Sequence, residues 1–116
     1  MKFERELLKG IAPVVVLEIL SRGAMYGYEL SEALSQRSGK VLTLGHGTLY
    51  PLLYNLEAKG LVQGEWQEAE SGRKRRYYSI TGQGREYLVR QKQQWQELQS
   101  AAQMVFNWAQ PQVSPA

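Results

Sequence analysis

"LVQGEWQEAESGRKRRYYSI", residues 61–80, is the stretch where the hydrophobic pattern of the chain changes from helical to alternating. Residues 61–67 place their side chains alternately on two faces, and RYYSI at the end is rich in residues that favour strands. The intervening EAESGRK contains Gly72 and has the composition of a hairpin loop. The stretch therefore predicts a β-hairpin with four adjacent cations, Arg73 to Arg76, at its tip and on its returning strand.

Three helices are predicted before the hairpin. The first covers residues 4–21, and Pro13 is expected either to kink it or to delay its start. The second covers residues 28–37. The third begins at residue 46 or 48 and ends at residue 59, with its leucines on one side and Gly60 as a typical C-terminal stop.

One long helix is predicted after the hairpin, with Thr81 as its N-cap. Apolar positions recur along it in alternating steps of three and four, which is the heptad pattern of helices that pair with each other. This seam contains one polar residue and consists of Leu88, Gln91, Trp95, Leu98, Ala102, Val105 and Ala109. We therefore expect residues 81–109 to form a C-terminal dimerisation helix and residues 110–116 to form a disordered tail.

The order of these elements predicts a fold that is mainly α with a small β-hairpin, of the α+β class. Three helices followed by a hairpin make a winged helix-turn-helix domain, which we assign to residues 1–80. In this fold the third helix enters the major groove of DNA, and the hairpin, or wing, lies along the neighbouring backbone or minor groove. Arg73, Lys74 and Arg75 are then expected to contact phosphate or the minor groove. The alternative is a solvated hairpin whose charges only prevent edge pairing.

Charge is balanced in every third of the chain. Basic and acidic side chains number six and five in residues 1–42, five and four in residues 43–80, and three and two in residues 81–116. The even balance outside the hairpin supports a second class of function, a winged helix that binds protein and has no direct role with DNA. Salt dependence separates the two classes, because binding through several phosphate contacts weakens roughly a thousandfold or more between low and moderate salt.

The sequence lacks the residues that most enzyme mechanisms need. It contains no cysteine and no aspartate, and His46 is its one histidine. These absences exclude disulfides and cysteine-based sites, and they leave neither a Ser-His-Asp triad nor a good set of metal ligands. We expect no enzyme activity, no metal and no cofactor.

Neither a targeting segment nor a membrane segment is predicted. MKFERELLKG at the start mixes charges of both signs and lacks the pattern of a signal peptide. The longest apolar run, IAPVVVLEIL at residues 11–20, is too short to span a bilayer and is interrupted by Glu18. We expect a cytoplasmic protein without a membrane partner.

Several segments of the chain resemble a known family. They are YGYEL (residues 26–30), GTLYPLLYNLEAKGLV (47–62), GRKRRYYSIT (72–81) and the glycine at position 84. Over residues 3–108 the chain resembles the PadR-like family of bacterial transcriptional regulators, and its length resembles the short subgroup with one helix after the wing. It departs from the family pattern at Gly45 and His46, where a serine and a proline more often begin the recognition helix.

The resemblance implies a homodimeric repressor whose last helix packs on the partner and on its first helix. Carried over to matching positions, it implies that these residues lie at or near DNA: Tyr28, Thr48, Tyr50 and Asn55, with Arg73 and Lys74 in the wing. Two recognition helices related by a two-fold axis predict a pseudo-palindromic operator in double-stranded DNA, with half-sites about one helical turn apart. From the residues alone, Tyr50 either faces the groove or packs on the core, and Asn55 either pairs with adenine or faces solvent.

Trp95 has two compatible interpretations. As part of the heptad seam, it is a core aromatic of the dimer, and the predicted interface consists of Leu88, Trp95, Leu98, Ala102 and Val105. Trp95 is also suited to stack on a planar ligand at the dimer interface, where Gln91 would supply a polar group. This second interpretation follows by analogy from similar regulators that respond to aromatic or multidrug compounds. We therefore expect a repressor that a small aromatic effector releases from DNA.

Overall fold

The computed structural model describes residues 2–108, so Ala109 and the predicted tail at 110–116 lie outside the described part of the chain. Seven elements follow one another in the order α1 (Arg5–Leu20), β1 (Met25–Tyr26), α2 (Gly27–Arg37), α3 (His46–Ala58), β2 (Val62–Glu68), β3 (Lys74–Ile80) and α4 (Gly82–Trp108). Three helices precede a hairpin and one long helix follows it, which confirms the α+β class and the winged-helix arrangement. α1 passes through Pro13 as one helix from Arg5, so its start is not delayed.

The sheet has three strands, so the prediction of a two-stranded hairpin was incomplete. Its strand order is β1-β3-β2, with both pairs antiparallel. β1 is only two residues long, and Met25 pairs with Tyr78 while Tyr26 pairs with Tyr77. Two residues are too few to show an alternating pattern in the sequence.

One hydrophobic core lies between the first three helices and one face of the sheet. Its leucines from α2 and α3 lie at positions that the helical spacing predicts, although the predicted Leu52 is only partly buried, and Tyr78 contributes the largest fully buried ring. The buried side chains of α1, α2 and α3 are Ala12, Val16, Leu17, Leu20, Leu30, Leu34, Leu49, Leu53 and Leu56. Because α3 buries only one side, its opposite side is free to face a ligand.

α4 begins against the winged-helix domain and then extends away from it. The hydroxyl of Thr81 accepts a hydrogen bond from the Gly84 N–H at 2.9 Å, as the predicted N-cap requires. Leu88 is 6% exposed and belongs to the core of its own chain. That position corrects the prediction that Leu88 lies in an intersubunit seam, because its surface is already covered. The molecule measures 75 × 29 × 21 Å.

Apolar side chains remain exposed along the extended part of α4. Leu98 is 64% exposed and Val105 is 61% exposed. The large apolar side chains exposed on α4 are Val89, Trp95, Leu98, Met104, Val105, Phe106 and Trp108. So large an uncovered apolar surface is unusual for a monomeric protein. No helix in residues 2–108 is long and apolar enough to cross a membrane.

Candidate nucleic-acid interface

The uncovered side of α3 carries two of the residues that were expected to lie near DNA. Thr48 and Asn55 are both exposed, and they lie two helical turns apart on one face. Leu49, Leu53 and Leu56 lie on a different side of the helix, which packs in the core. The structure therefore leaves the Thr48 hydroxyl and the Asn55 amide at the surface of α3.

Tyr50 is half-buried and packs against the start of α2. Its phenol occupies the space that a Cβ at Gly27 would need, so these two helices approach each other closely at this point. His46 contacts the Tyr50 ring edge-on with 5.4 Å between ring centroids. Tyr28, one residue after Gly27, is 57% exposed. Of the two tyrosines expected near DNA, Tyr28 is thus free at the surface and Tyr50 is held between helices.

The four cations of the basic run have three different environments. Arg73 lies in the loop and Lys74 begins β3, and both side chains are exposed. The Arg75 guanidinium lies 4.5 Å from the centre of the Tyr26 ring, a cation–π contact. Arg76 forms an ion pair with Glu57 of α3 at 2.7 Å. The first two cations are therefore free for an external anion, the third is partly covered by an aromatic ring, and the fourth is used within the fold.

A cleft of about 590 Å³ separates α3 from the wing, which we define as β2, β3 and their connecting loop. Its walls combine tyrosine and tryptophan rings with the basic run: Tyr26, Gly27, Tyr28, Tyr50, Tyr54, Trp66, Arg73, Lys74, Arg75, Arg76 and Tyr78. The sequence-based site omitted Tyr54 and Trp66, which are 57% and 62% exposed. Tyr54 follows Tyr50 by one helical turn, a spacing that indicates the same side of α3.

Tyr78 forms the buried floor of this cleft. Burial raises the pKa of the Tyr78 phenol, and the nearby Arg76 guanidinium opposes part of that rise. The phenol is therefore neutral near neutral pH and adds no negative charge to the cleft. Within residues 2–108, no group of three or more His, Cys, Asp or Glu side chains is placed to hold a metal ion.

The residues expected to serve the dimer and an effector lie together along α4. Trp95 is 39% exposed, and Gln91, one turn earlier, is half-buried. Ala102 is also half-buried, between the exposed Leu98 and Val105. These side chains lie on the helix that extends away from the domain, and none of them lines the cleft between α3 and the wing.

The sequence model of the PadR-like family of transcriptional regulators matches residues 16–90, more than half of the chain. The chain belongs to the PadR-like family. A transcriptional regulator of Mycobacterium tuberculosis is 34% identical over 94 residues, which cover 81% of this chain and 84% of that protein. Crystal structures of PadR-like regulators from Bacillus cereus and Eggerthella lenta are each 33% identical in sequence to this chain, with TM-scores of 0.74 and 0.77. Both alignments cover 87% of this chain, and they cover 96% and 86% of the respective structures.

Membership of the PadR-like family identifies the protein as a transcriptional regulator, and the family implies regulation through DNA binding. PadR-like regulators are transcription factors without enzymatic activity, so the expectation that this protein is not an enzyme holds.

Proposed function

We propose that this PadR-like regulator is a homodimeric repressor that binds a pseudo-palindromic operator. The observation that carries the proposal is the cleft between α3 and the wing, which is lined by tyrosine and tryptophan rings and by the basic run, including the exposed Arg73 and Lys74. A duplex presents phosphate ridges on both sides of its major groove. With α3 in that groove, one ridge would occupy the cleft and the wing would lie on the far side of it.

Each side chain has a role that fits its exposure. Arg73 and Lys74 are exposed at the tip and start of the returning strand, so they would contact phosphates and release counterions. Thr48 and Asn55 would meet base edges, and the Asn55 amide suits adenine. Tyr28 would direct its hydroxyl to the backbone, while Tyr50 would set the packing of α3 on α2 and contribute to the cleft wall. Arg75 would supply charge beside Tyr26.

The exposed apolar side of α4 supports a homodimer. Trp95, Leu98 and Val105 are exposed on one seam, and their burial in a second copy would remove apolar surface from water. A two-fold axis between two chains would place the recognition helices in successive major grooves, about 34 Å apart. The operator would then consist of two inverted half-sites about one helical turn apart.

The same α4 seam supports release by a small aromatic effector. Trp95 offers an indole face and Gln91 a polar group one turn away. A planar compound bound between two α4 helices would change the angle between them and hence the spacing of the recognition helices. The affinity of the dimer for its operator, measured with and without such a compound, tests this step, and equal affinities would contradict it.

The experiment for the proposal begins with selection of bound duplexes from a random-sequence pool by the full chain, followed by footprinting. We expect an inverted repeat with half-sites about one turn apart. Leu98→Lys should abolish the dimer in sedimentation and weaken operator binding. Gln96→Lys adds the same charge on the other side of α4 and should leave both unchanged. No enriched sequence, or binding by a monomer to a single half-site, would refute the proposal.

A further inference from the structure

Arg76 lies across the wing rather than pointing away from it. In the pairing of β2 with β3, Trp66 is opposite Arg76 and Gly64 is opposite Tyr78, so these four residues share one face. The guanidinium crosses diagonally over Gly64, where an added Cβ would lie 2.5 Å from Nε and 2.7 Å from Cζ. The rings of Trp66 and Tyr78 flank it at 5.7 and 5.8 Å. Only glycine at position 64 leaves room for this arrangement.

One carboxylate oxygen joins the recognition helix to both strands of the wing. Oε2 of Glu57, on α3, accepts a hydrogen bond from Arg76 Nη2 at 2.7 Å and another from the Gly64 N–H at 3.1 Å. The Glu57 and Arg76 side chains are only 30% and 28% exposed. Short, charge-assisted hydrogen bonds between side chains that are partly shielded from water are stronger than those at an open surface.

We propose that Glu57 is a positioning residue of the DNA interface, which fixes the wing relative to α3 and withholds Arg76 from phosphate. The proposal rests on the proposed DNA-binding function and deepens it. α3 and the wing must meet the same duplex at a fixed separation, and a preformed separation reduces the ordering cost of binding. Glu57, Arg76 and Gly64 make the one point where a side chain of α3 is hydrogen-bonded to both wing strands within residues 2–108.

The direction in which Glu57→Gln changes the affinity for DNA distinguishes positioning from simple electrostatics. Glu57→Gln removes a negative charge close to DNA, so electrostatics alone would strengthen binding. Loss of positioning would weaken it, by about tenfold if one charge-assisted hydrogen bond is removed. Glu65→Gln is the matched control, because Glu65 is an exposed carboxylate on β2 and its removal changes the net charge equally. We expect the control to bind as tightly as the wild type or more tightly.

The salt dependence of binding tests whether Arg76 contacts phosphate. Removal of a phosphate contact makes the negative slope of log K against log salt shallower by about one. We expect Arg76→Gln to bind about tenfold more weakly with the slope unchanged, and Glu57→Gln to bind about tenfold more weakly. The double variant should bind no more weakly than either single variant, because both break the same ion pair. A salt slope that is shallower by about one in Arg76→Gln, or wild-type affinity in Glu57→Gln, would overturn the proposal.

Hydrogen exchange at one amide tests the Glu57 hydrogen bond without DNA. In Glu57→Gln we expect the Gly64 amide to exchange faster in the full chain, while core amides such as that of Leu53 are unchanged. Unchanged exchange at Gly64 would overturn the proposal even if the wild type binds DNA. Failure of the wild type to select any duplex would refute the proposed function instead. If Glu57→Gln did not fold, Arg76→Gln would decide the matter through its salt slope.

Discussion

Gly84 is the position where α4 approaches the wing most tightly. A Cβ added there would overlap the carbonyl oxygen of Leu61 and lie 2.8 Å from Cγ1 of Ile80. The Leu61 oxygen cannot move away easily, because it accepts a hydrogen bond from the backbone N–H of Thr81 at 3.1 Å. Gly84→Ala must therefore shift backbone rather than rotate a side chain.

The change that Gly84→Ala makes in the free energy of unfolding follows from two opposing contributions. Alanine in place of glycine within a helix ordinarily stabilises it by roughly 0.5–1 kcal/mol. Overpacking against a fixed backbone costs typically about 1–3 kcal/mol. We expect Gly84→Ala to lower the free energy of unfolding by about 1–2 kcal/mol. Gly10→Ala is the matched control, because Gly10 lies within α1 with nothing within 4 Å of its missing Cβ. It should raise that free energy by roughly 0.5–1 kcal/mol.

Urea unfolding followed by circular dichroism measures both variants. All samples need the same protomer concentration, since dimerisation makes apparent stability depend on concentration. The reasoning predicts a lower midpoint for Gly84→Ala and a higher midpoint for Gly10→Ala, with similar slopes. If Gly84→Ala unfolded at the wild-type midpoint or above it, the close approach of α4 to the wing would be refuted.

Three further predictions concern other parts of the fold. Thr81→Ala should lower the free energy of unfolding by about 1 kcal/mol through loss of the α4 cap, whereas Thr81→Ser should retain most of it in the same urea assay. Gly27→Ala should displace the Tyr50 ring and weaken binding to the selected duplex, measured by fluorescence anisotropy; unchanged affinity would show that the Tyr50 position is unimportant for DNA. The Lys92 ammonium, 2.5 Å from the Glu18 carboxylate, holds the pKa of that carboxyl below its usual 4.5, although burial partly opposes this. A depressed carboxyl pKa stabilises the fold above the unfolded-state pKa, and this stabilisation disappears as pH falls through the folded-state pKa. The stability difference between wild type and Lys92→Met should therefore be larger at about pH 7 than at about pH 3, and a constant difference would contradict the ion pair.

The local patterns predicted the helices and the hairpin, because each rests on short-range spacing and turn residues. β1 was missed since its formation depends on pairing with β3, which lies far along the chain. Leu88 satisfied the heptad spacing of α4 and yet packs in its own core, because α4 begins against the domain before it extends. Periodicity indicates which face of a helix is apolar, but not which apolar residues cover it.

The cations of the basic run show the same limit at the site. Their adjacency in sequence indicated a charged hairpin, and all four lie at its tip and on its returning strand as predicted, with Arg73 in the loop and the other three on β3. The ion pair between Arg76 and Glu57 depends on how α3 packs on the sheet, which no local pattern contains. Tyr54 and Trp66 were likewise missed because their cleft forms between two separate elements.

The most direct test of DNA binding through the wing is a salt series with the selected duplex, comparing wild type with Arg73→Ala/Lys74→Ala/Arg75→Ala. If these cations bind phosphates, the variant should bind more weakly, and its salt slope should be shallower by about one for each phosphate that is no longer neutralised. Because Arg75 also stacks on Tyr26, we expect a decrease of about two to three. Equal affinities and equal slopes would mean that the basic run is a solvated loop, and the fold would then serve protein interaction rather than DNA binding.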